Sequence, residues 1–120
     1  MNQTPRTIHE VINRYNQAFR LHDPALLEDL ISDDCVIEDT SPAPAGARHE
    51  GGRASLARWA GLAGDPDLSF SPEPAEIVGE LAVAPWILRW GPGTDDWVRG
   101  VNLIRVRDGR IVEARGYLKA

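Results

Sequence analysis

Apolar side chains near the start of the chain recur at steps of three and four residues, the spacing of an amphipathic helix. The residues of this stripe are Ile8, Val11, Ile12, Tyr15 and Phe19. Thr4 and Pro5 are of the types that cap and open a helix, so the helix is predicted to begin there. Because Tyr15 lies on the buried stripe, its hydroxyl needs a hydrogen-bond partner or an opening onto a pocket.

A second, shorter helix is predicted directly afterwards, with Asp23 as its N-cap and Pro24 at the first helical position. Its apolar face consists of Leu26, Leu27, Leu30 and Ile31. The polar run 32–34 ends this helix. The segment from Cys35 to Asp39 then alternates between apolar and polar side chains, as a half-buried strand does.

This strand puts a carboxyl group on its apolar face. Successive side chains of a strand point to opposite faces, so Cys35, Ile37 and Asp39 share one face. If the first two point into the core, Asp39 points there too, or into a cavity that the core lines. An ionised carboxylate in apolar surroundings is costly unless it is paired or hydrogen-bonded. Asp39 is therefore the first candidate for a functional residue.

The segment after this strand is rich in proline, glycine and small polar residues. Thr40 to Gly52 is predicted to be a loop long enough to be functional. Within it, His49 and Glu50 could reach the cavity mouth as an acid–base pair, but a solvated pair is the stronger expectation. A third helix is predicted over 53–63, with Trp59 facing inward.

The remainder of the chain predicts strands. Leu81 to Trp90 reads as a long strand in which Pro85 indicates an edge position or a bulge. Residues 97–118 predict a hairpin that turns at Asp108 and Gly109. Three helices in the N-terminal half followed by antiparallel strands indicate an α+β fold, with the helices over one face of a curved sheet. The uncovered face of such a sheet would suit a dimer.

Composition and charge narrow the range of partners. The 120 residues are 42% hydrophobic and 26% charged, as expected for one globular domain over 1–120. The net charge of −5 argues against nucleic acid and anionic membranes as partners, since both need a basic face. One cysteine and three scattered histidines predict no disulfide and no metal site. No cofactor is expected either. No apolar run has the roughly 20 residues of a membrane span, so a cytoplasmic location is expected.

Three segments resemble the ketosteroid isomerases, within the nuclear-transport-factor-2-like and SnoaL-type polyketide-cyclase superfamily. They are VINRY through IEDTSP, GGRASLARW, and GVNLIRVRDGRIVEARGYL. The resemblance implies a cystatin-like fold with a cone-shaped cavity, and a homodimer. It also implies a site, because Tyr15 and Asp39 match a Tyr and an Asp of the isomerases. Asn102 departs from the pattern, since the isomerases carry a protonated Asp there.

These residues suggest proton transfer next to a carbonyl group. Asp39 would act as the base, and Tyr15 and Asn102 would donate hydrogen bonds to the enolate oxygen. The substrate implied is a small apolar, carbonyl-bearing molecule, steroid-like or polyketide-like. The residues predicted to line its pocket are Trp59, Trp86, Leu88, Ile104 and Leu118.

Two alternatives remain open. A polyketide cyclase or epoxide hydrolase of the same superfamily would need a second acid, for which Glu50 or Glu113 is available. A non-catalytic ligand-binding or dimerisation module would need no cavity between the three polar residues.

Overall fold

The computed structural model describes residues 5–119, which form two α-helices and one seven-stranded sheet. The helices are α1, Ile8–Arg20, and α2, Gly52–Gly64. The strands are β1 Ile31–Glu38, β2 Arg48–Glu50, β3 Ser69–Pro72, β4 Glu76–Val78, β5 Leu81–Arg89, β6 Trp97–Arg107 and β7 Arg110–Leu118. Their order across the sheet is β2-β1-β7-β6-β5-β3, and β4 pairs with β5 beside β3.

Helix α1 begins three residues later than predicted. Thr7 is its N-cap: the Thr7 hydroxyl accepts from the Glu10 N–H, and the Glu10 carboxylate accepts from the Thr7 N–H. This reciprocal capping box outweighs a start at Pro5. Thr4 lies outside the described residues. The predicted stripe is confirmed, because Val11, Ile12 and the aromatic residues that follow them are buried.

The predicted second helix is wrong. Residues Pro24–Leu27 form a single 3₁₀ turn, and the Asp23 side chain makes no capping hydrogen bond. The chain enters β1 already at Ile31, which pairs with Ile111 of β7. Ile31 thus pairs within the sheet and cannot belong to a helix. Leu27 and Leu30 are fully buried although no second α-helix forms.

The sheet is mixed rather than antiparallel. Strand β1 runs parallel to β7, while the other paired strands are antiparallel. A tight turn fixes an antiparallel direction only between strands that follow each other closely along the chain. β1 and β7 are far apart in sequence, so no local signal specified their direction.

Pro85 lies on an interior strand, which corrects the edge position predicted for it. β5 pairs with β6 on one side and with β3 and β4 on the other. On that second side β3 pairs as far as Trp86, and β4 takes over at Val83. The Pro85 carbonyl accepts from Glu73 on this side, so its missing N–H falls in the gap between two partner strands.

The two helices lie on the same side of the sheet. α1 contacts β3 and β6, and α2 contacts β1 and β2. The predicted hairpin between β6 and β7 is confirmed, with Asp108 and Gly109 both at positive φ. Within residues 5–119, no helix is both long enough and apolar enough to cross a membrane.

Candidate active site

Asp39 follows directly after β1, and its side chain lies at the edge of a cavity. The predicted alternation is confirmed, since Cys35 and Ile37 are buried on the same side. The Asp39 side chain is only 11% exposed. Its backbone N–H donates to the Ala47 carbonyl at 2.8 Å, which holds the start of the following loop against β2. The carboxylate is therefore fixed at the junction of β1 and that loop.

Two cationic or potentially cationic side chains hold the Asp39 carboxylate. His49 of β2 donates from Nε2 to Asp39 Oδ2 at 2.9 Å, because a carboxylate can only accept. Arg58 of α2 brings Nε to 2.8 Å from the same oxygen. The Arg58 N–H is not aimed at the oxygen, so this contact is an ion pair rather than a hydrogen bond. Both contacts use Oδ2, and Oδ1 has no partner among the described residues.

His49 was expected to be solvated, and this expectation is wrong. It stands opposite Ile37 in the pairing of β1 with β2, and its side chain is 27% exposed. Sequence reasoning missed Arg58 altogether. Neither contact has a local sequence signal, because β2 and α2 are brought to Asp39 only by the tertiary fold.

Tyr15, Asn102 and Trp86 form a chain of hydrogen bonds. The Trp86 indole N–H donates to Asn102 Oδ1 at 3.0 Å, and Asn102 Nδ2 donates to the Tyr15 hydroxyl at 2.7 Å. The indole can only donate, so it fixes the amide with its oxygen towards Trp86. The Tyr15 oxygen then accepts, and its proton is left free to donate to a ligand.

Burial raises the pKa of the Tyr15 phenol well above its ordinary value, and the hydrogen bond from Asn102 opposes this only in part. Tyr15 is therefore neutral at any physiological pH and remains a hydrogen-bond donor. Asn102 was predicted to donate to the enolate oxygen beside Tyr15. In the structure its Nδ2 donates to the Tyr15 hydroxyl instead, so Asn102 supports Tyr15 from behind.

Two glycines leave room for this chain. A Cβ on Gly100, which pairs with Trp86 across β5 and β6, would overlap the Trp86 indole. A Cβ on Gly116 of β7 would lie 3.0 Å from Asn102 Oδ1. The absence of a side chain at Gly100 and Gly116 therefore leaves the space that the side chains of Trp86 and Asn102 occupy.

A cavity of about 190 Å³ lies between the sheet and the helices. Asp39, Tyr15 and Asn102, the three predicted catalytic residues, all line it. Its other walls are mainly apolar or aromatic: Phe19, Ile37, Trp59, Leu62, Phe70, Pro72, Ala84, Pro85, Trp86, Leu88 and Ala114. Arg58 and Glu38 lie at its polar end, where Arg48 binds Glu38 at 3.1 Å.

Three of the five residues predicted to line the pocket do so: Trp59, Trp86 and Leu88. Ile104 does not, because it is fully buried in the core. Leu118 does not either, because it lies at the end of β7, is 44% exposed and borders a separate surface groove. Glu50 and Glu113, the second acids considered for a cyclase or hydrolase, are not among the lining residues.

Cys35 and the histidines offer no second site. Burial raises the pKa of the Cys35 thiol to about 11, so the thiol stays protonated and behaves as a small core residue. Within the described part of the chain, no three His, Cys, Asp or Glu side chains gather as metal ligands would.

Comparison with known proteins agrees with this architecture. Residues 12–114 match the family model of the SnoaL-like domain. An NTF2-like protein of unknown function from Mesorhizobium loti is 44% identical, covers 100% of this chain and 97% of its own, and superposes with a TM-score of 0.89. The predicted nuclear-transport-factor-2-like fold is thereby confirmed. No curated protein matches the chain significantly.

Two solved structures of lower identity share the fold. A Sinorhizobium meliloti protein, provisionally assigned as a polyketide cyclase, is 24% identical over 88% of this chain and 92% of its own, with a TM-score of 0.71. An LEH-like epoxide hydrolase from M. tuberculosis is 21% identical over 91% of this chain and 80% of its own, with a TM-score of 0.68. At these identities the likeness shows the fold alone.

Proposed function

This chain belongs to the SnoaL-like domain family, and we propose that it is a cofactor-independent enzyme of the isomerase type. It removes a proton from the carbon next to a carbonyl group in a small apolar substrate. One observation carries the proposal: the carboxylate of Asp39 and the phenol of Tyr15 line the same largely apolar cavity. A base and a hydrogen-bond donor facing one pocket are the two groups that enolisation needs.

The reaction begins at Asp39. Oδ1, the oxygen that neither His49 nor Arg58 contacts, takes the proton from the carbon next to the carbonyl. The electron pair of the broken C–H bond moves into the carbon framework, and negative charge develops on the carbonyl oxygen. Tyr15 donates its phenolic proton in a hydrogen bond to that oxygen. The protonated Asp39 then returns the proton to a different carbon, which completes the isomerisation without change in composition.

Asn102 and Trp86 orient the donor. Asn102 donates to the Tyr15 hydroxyl oxygen, and Trp86 fixes the Asn102 amide. A donor whose direction is set before the substrate binds needs no reorganisation as charge develops. Tyr15 is thus the direct donor, whereas Asn102 acts through it.

His49 and Arg58 keep the carboxylate usable in an apolar wall. A carboxylate buried without a cation would be costly, and the two side chains offset that cost from the side opposite the free oxygen. They also restrict its rotation, so Oδ1 stays directed away from both.

A cyclase or hydrolase mechanism is less well supported. It needs a second acid near the reacting oxygen, and the other carboxylate at the described cavity wall, Glu38, is bound by Arg48. A purely ligand-binding module would use Asp39 and Tyr15 only to hold a ligand, and the loss of turnover in Asp39→Asn distinguishes the two roles.

The experiment is isomerisation of cyclohex-3-enone to its conjugated isomer, followed by ultraviolet absorbance. We expect a rate above that of buffer, and a loss of about a hundredfold or more in Asp39→Asn, which keeps the shape but removes the base. Asp95→Asn, at an exposed turn, is the matched control and should keep the wild-type rate. A folded wild type that does not exceed the buffer rate, or an unaffected Asp39→Asn, would exclude Asp39 as the base.

The uncovered face of the sheet supports a second proposal, that the protein is a homodimer. Both helices lie on the cavity side, so the outward side chains of β5, β6 and β7 have no cover within residues 5–119. The apolar ones include Val83, Ile87, Val101, Leu103 and Tyr117. A row of this kind on one face is typical of an interface between two copies of a chain.

A further inference from the structure

We propose that the ligand of this cavity is a flat, unsaturated ketone of one or two rings, and that Phe70 excludes larger polycycles. The carbonyl group in this assignment rests on the proposed function. The size and the flatness rest on the cavity alone. A four-ring steroid, which the family resemblance suggested, is therefore not the expected substrate.

The volume indicates how large a ligand the cavity walls can surround. A cavity of about 150 Å³ accepts benzene, whereas sites for drug-sized ligands have about 300–1,000 Å³. The cavity here has about 190 Å³. It is thus larger than a site for one bare ring and smaller than the usual site for an extended polycycle.

Aromatic rings form much of the wall and favour a flat ligand. Tyr15 lies 4.9 Å from Phe19 and 5.0 Å from Trp59, measured between ring centroids. Phe70 continues the series, at 5.1 Å from Phe19 and 6.2 Å from Trp86. The neighbouring rings are tilted or edge-on to one another, so they present both faces and edges to the space between them. An unsaturated ring can pack against such walls by stacking or by edge contact.

The strand order gives the cavity a polar end and an apolar end. Asp39 follows β1 and its partner His49 lies on β2, at one side of the sheet. Asn102 and Trp86 come from β6 and β5, further across. Phe70 stands on β3, at the opposite edge, paired with Leu88. The reacting carbon must therefore lie towards β1, and the rest of the ligand must extend towards Phe70.

Phe70 is the part of the far wall that can limit ligand length. Its ring spans from Phe19 of α1 to Trp86 of β5, and so closes the gap between helix and sheet. Phe70 is only partly buried, on an edge strand. Its removal should open the cavity without removing the fully buried core.

The test measures binding, independently of turnover. Cyclohex-2-enone, 1-tetralone and a four-ring steroid enone are titrated into ¹⁵N-labelled protein, and the indole N–H signals of the four tryptophans are followed. We expect the two smaller ketones to shift the Trp59 and Trp86 signals and to leave the exposed Trp90 and Trp97 signals in place. The steroid should bind at least about tenfold more weakly than 1-tetralone.

Phe70→Ala should raise steroid affinity by about tenfold or more and so reverse or abolish the size order. Leu88→Ala, which enlarges the same end, serves if that variant does not fold. Val78→Ala, at a side chain 72% exposed on β4, is the control and should leave the order unchanged. Wild type that binds the steroid as tightly as 1-tetralone would overturn the proposal, as would a size order that neither cavity variant alters.

These outcomes differ from those that test the proposed function. If the small ketones bind at Trp59 and Trp86 but cyclohex-3-enone is not isomerised, the enzymatic proposal fails and the ligand size stands. If cyclohex-3-enone is turned over through Asp39 but steroids bind equally well, the size assignment fails and the reaction stands.

Discussion

Asn102 lies between two partners that fix the direction of its amide. Trp86 donates to its oxygen, and its nitrogen donates to Tyr15. A mid-strand asparagine is uncommon, since Asn is depleted in strands. Asn102 is tolerated in β6 because its amide oxygen and its amide nitrogen each have a hydrogen-bond partner. The residue that departs from the isomerase pattern thus donates to Tyr15 in this chain.

Trp86→Phe tests this orientation. The substitution keeps an aromatic ring in the wall but removes the N–H that fixes Asn102, and a net hydrogen bond of this kind is worth about 1 kcal/mol. We expect kcat to fall about five- to tenfold with a small change in KM. Trp97→Phe is the matched control, because it removes an indole hydrogen bond to the Thr94 carbonyl outside the cavity. Equal rates in the wild type and Trp86→Phe would show that the hydrogen bond from Trp86 to Asn102 does not assist Tyr15.

Asp29 ties the start of the chain to the segment before β1. Its carboxylate contacts Arg6 at 3.1 Å and Arg14 at 3.2 Å. Burial raises the pKa of Asp29, but the hydrogen bond from Arg6 and the charges of both arginines outweigh this and lower the pKa below 3.8. A lowered pKa stabilises the folded state above the unfolded value, and this stabilisation is lost as pH falls through the folded value.

Asp29→Asn should therefore lower the melting temperature at pH 7 and not at low pH. The carboxylate is 54% exposed, so the loss is about 0.5 kcal/mol, or about 2 °C. The difference from wild type should shrink as the pH is lowered through and below 3.8. Thermal melts followed by circular dichroism measure it, with Asp95→Asn as control. A difference that persists unchanged at the lowest pH would show that the ion pairs are not its cause.

Strands β5 and β6 build the floor of the site by pairing a large residue with a glycine. Trp86 stands opposite Gly100. A Cβ on Gly100 would also lie only 2.7 Å from the Tyr117 carbonyl oxygen. A backbone oxygen cannot move aside as a flexible side chain can. Only glycine at this position therefore allows the hydrogen bonds between β5 and β6 and the Trp86 indole to stay in place together.

Gly100→Ala should destabilise the protein by about 1–3 kcal/mol, because either the strands or the Trp86 ring must shift. Gly61→Ala is the contrasting variant: a Cβ there meets open space within α2. Alanine in a helix interior should stabilise by about 0.5–1 kcal/mol. Urea unfolding of both variants measures the two free energies. Equal stabilities for Gly100→Ala and wild type would mean that Trp86 does not rest on Gly100.

Elements with a local pattern were predictable, and contacts between distant elements were not. The apolar stripe of α1 and the alternation of Cys35, Ile37 and Asp39 were sufficient to bring Tyr15 and Asp39 to the core side. The parallel pairing of β1 with β7 joins strands with no connecting turn, so nothing in either segment indicated it. His49 and Arg58 reach Asp39 only through that assembled sheet and α2, and no spacing along the chain links them.

Within residues 5–119, helices cover one face of the sheet, and no helix lies over the other face. If the uncovered face joins two copies, a charge placed in its centre should separate them. Leu103→Glu is expected to convert a dimer of twice the 13.2 kDa chain mass into a monomer, measured by light scattering after size exclusion. Leu103 points away from the cavity, so ligand binding should survive. A wild type that is monomeric at high concentration would rule out this interface.

The central claim is that Asp39 and Tyr15 meet on one substrate inside the cavity. A crystal structure of Asp39→Asn soaked with cyclohex-3-enone tests it directly, because that variant should bind the ketone without converting it. We expect the carbonyl oxygen about 2.7–3.0 Å from the Tyr15 hydroxyl. The carbon between carbonyl and double bond should face the substituted side chain at position 39. A ketone bound with its oxygen away from Tyr15, or bound only outside the cavity, would contradict the account.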